Sequence, residues 1–392
     1  MKFSKVFKGG MVAAMAMSLV ACSSNSTTSA KSTSASAEAF KIGGSGPLSG
    51  DAAVYGNAVK NGAELAIKEI NEAGGINGYQ IEYNFQDDEL DNEKSVNAYN
   101  TLKDWGMNML VGSVTSGCCV AVAAESKNDN MFQITPSGSS VDCIEGNDNV
   151  FQVCFTDPNQ GVGAADYIGE NNLASKVAVI YDSSDVYSSG IYAKFKEEAA
   201  TQNFEIVSEE AFTADNKTDF SVQLAKAQEA GAELVFLPIY YTEASLILKQ
   251  ADSMGYAPKF FGCDGLDGIL GVENFDTSLA EGVMLLTPFA ADAQDDLTKK
   301  FVSAYETAYN DTPNQFAADA YDAVYAIKAA AEKGDVAPSD GVSGICDKMK
   351  AAMQEITVDG LTGEGMNWAA DGTVNKAPKA MEIKNGAYAL VQ

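Results

Sequence analysis

Short apolar runs alternate with longer amphipathic segments from Phe40 to Leu286, and that alternation fixes the fold class. The apolar runs lie at residues 41–44, 79–86, 107–111 and 131–134, and then at 150–155, 177–181, 205–210, 234–237, 259–262 and 283–286. Between them apolar residues recur at helical spacing, as at Ala63, Ala66, Ile67 and Ile70 in a helix over 55–71 that Gly74-Gly75 stops. Strands that alternate with helices of roughly ten to fifteen residues predict a doubly wound parallel sheet. The pattern restarts at Val150, with Pro158 in the first turn of the next helix, so the chain makes two Rossmann-like lobes.

Helices over 293–309, 315–333 and 342–353 follow without strands of their own. They must pack on an existing sheet, and we assign them to the first lobe. The tail holds a hairpin-like turn at Trp368-Ala369-Ala370-Asp371-Gly372 and strands at 379–383 and 387–391. The expected division is 40–157 plus 288–365 for lobe 1 and 158–287 plus 366–392 for lobe 2, joined by a hinge that the chain crosses more than once.

Residues 1–22 read as an export signal. Lys2, Lys5 and Lys8 precede an apolar stretch from Gly10 to Val20, too short for an ordinary membrane span. It ends Leu19-Val20-Ala21-Cys22, which resembles a lipobox, and in lipoproteins the cysteine carries the lipid. Residues 23–39 are Ser/Thr/Ala-rich without apolar period and read as a flexible tether.

The chain carries 26 basic and 54 acidic residues, a net charge of −28, which disfavours nucleic acid as a partner. It has no histidine, and every basic residue is lysine. Ser-His-Asp and Cys-His catalysis and histidine metal sites are therefore excluded, as is the bidentate arginine clamp for a carboxylate. An anionic group must be held by hydroxyls, backbone amides, helix N-termini or lysine. No Walker A sequence occurs, and a G-x-G-x-x-G reading from Gly44 fails at Ser49. The acidic run Asp87-Asp88-Glu89 lacks EF-hand spacing and reads as a solvated loop or a helix N-terminus. No cofactor and no metal is expected.

The stretch from Met107 to Ser139 concentrates the binding chemistry. Its two strand runs are followed by Thr115-Ser116-Gly117 and Ser137-Gly138-Ser139. In an open parallel sheet ligands bind beyond the carboxyl ends of the strands, where hydroxyls and free N–H groups cradle a carboxylate. Six cysteines follow Cys22, and an even number in an exported chain permits disulfides, with Cys143 and Cys154 the expected pair.

At this point the chain resembles the substrate-binding proteins of branched-chain amino acid ABC transporters, the type I periplasmic binding proteins. The marks are Gly46-Pro47-Leu48-Ser49-Gly50 with Tyr55-Gly56, Ala73-Gly74-Gly75-Ile76-Asn77-Gly78, Asp87-Asp88, Gly112 to Gly117, Ile134-Thr135-Pro136-Ser137, Gln160-Gly161 and Asp219-Phe220. The resemblance implies two lobes, three hinge crossings and a ligand trapped on closure. It implies that Ser116, Ser137 and Ser139 hold the ligand α-carboxylate, and that Asp264, where glutamate is usual, meets the ammonium with help from Tyr240. Tyr187 would close over the ligand, and Tyr55 would line the side-chain pocket with Val114. The implied protein is a lipid-anchored, monomeric solute receptor, not an enzyme, that delivers an α-amino acid to membrane permease subunits. Relatives of this family also bind amides, urea-like solutes or aromatic acids, and a ligand sensor is the rival role.

Overall fold

The structure is a computed structural model that describes residues 38–391. The expected signal, Cys22 and the tether up to Ala37 lie outside the described residues.

The first lobe is built on β1 (Phe40–Gly46), α1 (Ala53–Glu72), β2 (Ile81–Asp87), α2 (Asn92–Trp105), β3 (Met109–Gly112), α3 (Ser116–Asn128), β4 (Phe132–Thr135) and β5 (Val150–Gln152). Its sheet runs in the order β2-β1-β3-β4-β5, with every pairing parallel. β3 and β4 are buried along their whole length, as strands covered on both faces must be. Local chemistry sets the helix ends. The Asp91 carboxylate caps α2 by accepting from the Lys94 N–H at 2.9 Å, and Gly106, in the left-handed region at φ 93°, stops it.

The chain then crosses to α4 (Asp157–Glu170), β6 (Lys176–Asp182), α5 (Val186–Ala199), β7 (Glu205–Phe212), α6 (Ser221–Glu229), β8 (Leu234–Leu237), α7 (Tyr241–Ser253), β9 (Lys259–Gly262) and β10 (Met284–Thr287). It returns through α8 (Asp296–Tyr309), α9 (Gln315–Lys333) and α10 (Gly341–Met353), and closes on β11 (Lys379–Lys384) and β12 (Ala387–Leu390). The second sheet runs β12-β11-β10-β9-β8-β6-β7, parallel except for the last two strands of the chain.

Helix α9 ties the late helices to the first lobe. A Cβ on Gly62 of α1 would lie 2.0 Å from the Ala317 carbonyl oxygen, so the two backbones touch where only glycine fits. This contact sets Tyr55 and Phe316 against each other, with ring centroids 4.4 Å apart. The tail stays with the first lobe further than its division at 366 implies. Trp368 Nε1 donates to the Gln152 carbonyl at 2.8 Å, and Lys376 forms a buried ion pair with Asp319 at 2.8 Å. Only at β11 does the chain join the second sheet.

Two sequence expectations need correction. Cys143 and Cys154 are not bonded to each other, and all six described cysteines are free and buried. Cys143 turns toward α3, with its thiol facing the Ser116 carbonyl, so the two thiols do not meet across the loop. The acidic run is not a solvated loop throughout. Asp87 accepts from the Leu48 N–H at 2.8 Å and the Ser49 hydroxyl at 2.7 Å, tying down the loop after β1. Asp88 is fully buried, and desolvation pushes its carboxyl up to about 7.

Candidate functional site

Strand order dictates where the site falls. In the first sheet the order reverses between β1 and β3, and in the second between β6 and β8. Loops leaving the carboxyl ends of such strands splay apart and open a crevice. Tyr55 follows β1, Val114 to Ser116 follow β3, and Ser137 follows β4. From the other lobe, Tyr187 follows β6, Tyr240 follows β8 and Asp264 follows β9. These residues meet around a small, nearly filled cavity of about 10 Å³, together with Gly265 and Phe316.

The first-lobe wall is a field of donors. α3 begins at Ser116, earlier than the sequence pattern suggests, so the residue expected to bind is the first of its helix. The first-turn amides of a helix have no partner within it and favour negative charge. The Ser116 hydroxyl accepts from the Ser140 N–H at 3.2 Å, which leaves its own proton free to donate. The Thr115 hydroxyl is buried with no hydrogen-bond partner among the described residues. Ser137 differs: its hydroxyl donates to the Val114 carbonyl at 2.6 Å and so holds the neighbouring loop. Ser139 does not line the cavity. Its carbonyl accepts from the Asp157 N–H at 3.0 Å, and its hydroxyl is buried without a hydrogen bond.

The second-lobe wall carries the negative charge. Tyr187 Oη donates to Asp264 Oδ1 at 2.7 Å and accepts from the Gly265 N–H at 2.9 Å. The Asp264 N–H donates to Gln160 Oε1 at 3.1 Å. Burial pushes the Asp264 carboxyl up to about 7, against the hydrogen bonds from Tyr187 and Gln160. Tyr240 stacks on Tyr187, with centroids 5.0 Å apart.

Asp157, which the sequence reading did not single out, is a second carboxylate close behind this wall. It is 1% exposed, and neither of its oxygens has a hydrogen-bond partner among the described residues. Burial, then the Asp264, Asp185 and Asp142 charges, hold its carboxyl well above the usual range, and the facing Ser139 hydroxyl only partly offsets them. Sequence showed it only as a helix-opening Asp-Pro. Phe316 was missed too, because periodicity finds α9 but does not show which side chain at its start enters the cavity.

Tyr55 joins the two walls. Its hydroxyl donates to the Gly265 carbonyl and accepts from the Tyr241 N–H at 3.2 Å. Further bonds cross between lobes: the Thr242 hydroxyl donates to the Asp51 carbonyl at 2.6 Å, and Lys217 pairs with Asp51 at 2.8 Å. An outer cleft of about 520 Å³ shares Thr115 and Tyr240 with the cavity and is walled by Asp91, Glu93, Asp182, Asp185 and Glu243. Among the described residues no group of three or more His, Cys, Asp or Glu side chains is placed to hold a metal ion.

Two wound lobes with donors on one wall of the crevice and a carboxylate on the other are the layout of a solute-binding protein. The chain belongs to the periplasmic binding protein family, whose model matches residues 39–387. It is 33% identical over 299 residues to the Leu/Ile/Val-binding protein homolog 3 of Brucella melitensis, across 74% of this chain and 78% of that one. It is 29% identical over 311 residues to the leucine-, isoleucine-, valine-, threonine- and alanine-binding protein of Pseudomonas aeruginosa, across 79% and 82%. A solved structure with a similar fold is the branched-chain amino acid transporter substrate binding protein LivJ of Streptococcus pneumoniae in complex with isoleucine. The two superpose with a TM-score of 0.81 at 31% identity, over 89% of this chain and 97% of that one.

Proposed function

We propose that this protein captures an α-amino acid, branched-chain by preference, between its two lobes and delivers it to the permease of an ABC importer, held at the membrane by a lipid on Cys22. The observation that carries the ligand class is the polarity of the cavity. Free donors at Thr115, Ser116 and the start of α3 lie on one side, and Asp264 lies on the other. An α-amino acid is a zwitterion with the complementary pair of charges. Its carboxylate sits at the start of α3, and its ammonium sits at Asp264.

Asp157 supports the same orientation. A buried carboxylate without a partner calls for a cation or a proton. The ammonium end of the ligand, held at Asp264, supplies positive charge on the other side of that wall. Ser139, which faces Asp157 and lies outside the cavity lining, serves that carboxylate rather than the ligand's. Tyr55, Val114 and Phe316 give an apolar enclosure for the side chain. Similarity to Leu/Ile/Val-binding proteins points the same way.

The bonds from Tyr55, Thr242 and Lys217 across the crevice support a mechanism in which the lobes close on the ligand. Only the closed form offers both charged ends a partner. A thermal-stability screen against the twenty amino acids, small amides and aromatic acids tests the ligand class, because a ligand bound only to the folded state raises the melting temperature. Leucine, isoleucine or valine is expected to give the largest shift. A shift with benzoate or an amide and none with any amino acid refutes the assignment. The anchor is tested separately by mass spectrometry of the exported protein, which should show diacylglycerol on Cys22.

A further inference from the structure

A second cavity, of about 460 Å³, lies between the lobes and shares none of the residues that surround the amino-acid cavity. Val54, Val302 and the 311–314 loop come to it from the first lobe, and residues 267–271 and 386–388 come from the second. Its apolar lining includes Leu270, Phe289 and Val302. Its charged lining is acidic throughout: Asp267, Asp292, Glu306 and Asp311, with no lysine.

Carboxylates at the surface of so acidic a chain would mean little. Asp267 is different. It is 4% exposed, and its Oδ2 is fixed by the Gln315 N–H at 2.9 Å. Its Oδ1 has no hydrogen-bond partner among the described residues. Beside it the Tyr388 hydroxyl accepts from the Gly268 N–H at 2.9 Å and turns its own proton toward the Asp267 carboxylate, which it satisfies only in part. A held carboxylate with one oxygen unsatisfied, over an apolar floor and with no cation in the walls, repels anions and matches an ammonium on a hydrocarbon body.

We infer that this cavity is a second ligand site, for a small primary amine with an apolar body and no carboxylate. The site is linked to the first. Gln315 gives its N–H to Asp267 and its side-chain amide to the Asp264 carbonyl at 3.1 Å, and Phe316 beside it lines the amino-acid cavity. An occupant touching both lobes stabilises their present arrangement, so it favours whatever else binds that arrangement.

The test is calorimetric titration of the protein with hexylammonium chloride, and with sodium hexanoate as the anionic control. Saturable one-to-one binding of the amine and none of hexanoate is expected. Asp267→Asn should bind the amine at least tenfold more weakly. Val302→Trp fills the cavity while leaving every carboxylate in place, so it serves if Asp267→Asn does not fold, and it should abolish binding. No saturable binding, equal binding of hexanoate, or indifference to both lining variants would overturn the inference. None of these outcomes depends on which amino acid the first cavity takes.

Discussion

Asp264 is asked to do two opposed things: stay buried and carry a charge. Burial, only partly offset by the Tyr187 hydrogen bond, holds its carboxyl at about 7, so without a cation beside it the group is largely protonated below neutrality. An arriving ammonium must meet the ionised form. Affinity for an amino acid should therefore fall as pH drops below about 7, approaching tenfold per pH unit, and calorimetry from about pH 8 down to about pH 6 measures it. The effect on folding has the opposite sign. A carboxyl whose folded pKa is raised takes up its proton earlier in the folded state, so this group's contribution to stability declines as pH rises from about 4 to about 7. Asp264→Asn should weaken amino-acid binding at least a hundredfold, about 2.7 kcal/mol, and should not lower the melting temperature of the unliganded protein. Asp157→Asn should weaken amino-acid binding at least tenfold while raising that melting temperature, because it removes a buried carboxyl that lacks a partner.

At the scale of elements, two contacts hold the site walls in place, and each has a distinct failure. Helices α1 and α9 touch at Gly62 and Ala317, so Gly62→Val should force them apart. A destabilisation of about 2–3 kcal/mol, with a weaker ligand site because Tyr55 and Phe316 separate, is the expected result of denaturant unfolding and titration. Lys376 pairs with Asp319 where both are nearly inaccessible. Lys376→Met strands a buried carboxylate and should destabilise by about 3–5 kcal/mol, whereas the double change with Asp319→Leu should recover most of that loss.

The alternation of strands and helices was fully legible in sequence, because each element has its own hydrophobic period. Helix α9 packs on α1 at Gly62 and Ala317. What could not be read was the tail between Met366 and Lys376. It has little regular structure, and its place is set by single contacts such as Trp368 with Gln152 and Lys376 with Asp319. The unpaired cysteines have the same origin: whether two thiols meet depends on where short turns and loops point, which no spacing rule reports.

The candidate site was legible for a different reason. Tyr55, Ser116, Ser137, Tyr187, Tyr240 and Asp264 each follow a strand, so strand assignment plus family likeness was enough to name them, and all of them line one cavity. Residues that reach the site from other directions were missed or misread. Phe316 comes from a distant helix, Asp157 from a hinge crossing, and Ser139 turns away toward Asp157.

For the molecule as a whole, polar bonds and apolar contacts both join the lobes at the crevice, with the Tyr55 ring packed on Tyr240 and Tyr241. Lys217 with Asp51 is a partly exposed pair, and such pairs are screened by salt. Lys217→Ala should therefore speed ligand release modestly, about two- to fivefold, with the difference shrinking at high salt, as stopped-flow fluorescence would record. The central claim is that closure satisfies both charged ends of one zwitterion. The measurement that tests it most directly is calorimetric affinity for leucine beside its two single-charge analogues, leucinamide without the carboxylate and 4-methylpentanoate without the ammonium. The account predicts that leucine binds and that each analogue binds at least a hundredfold more weakly. Equal binding of leucine and either analogue would contradict it, because one wall of the crevice would then have no charge to recognise.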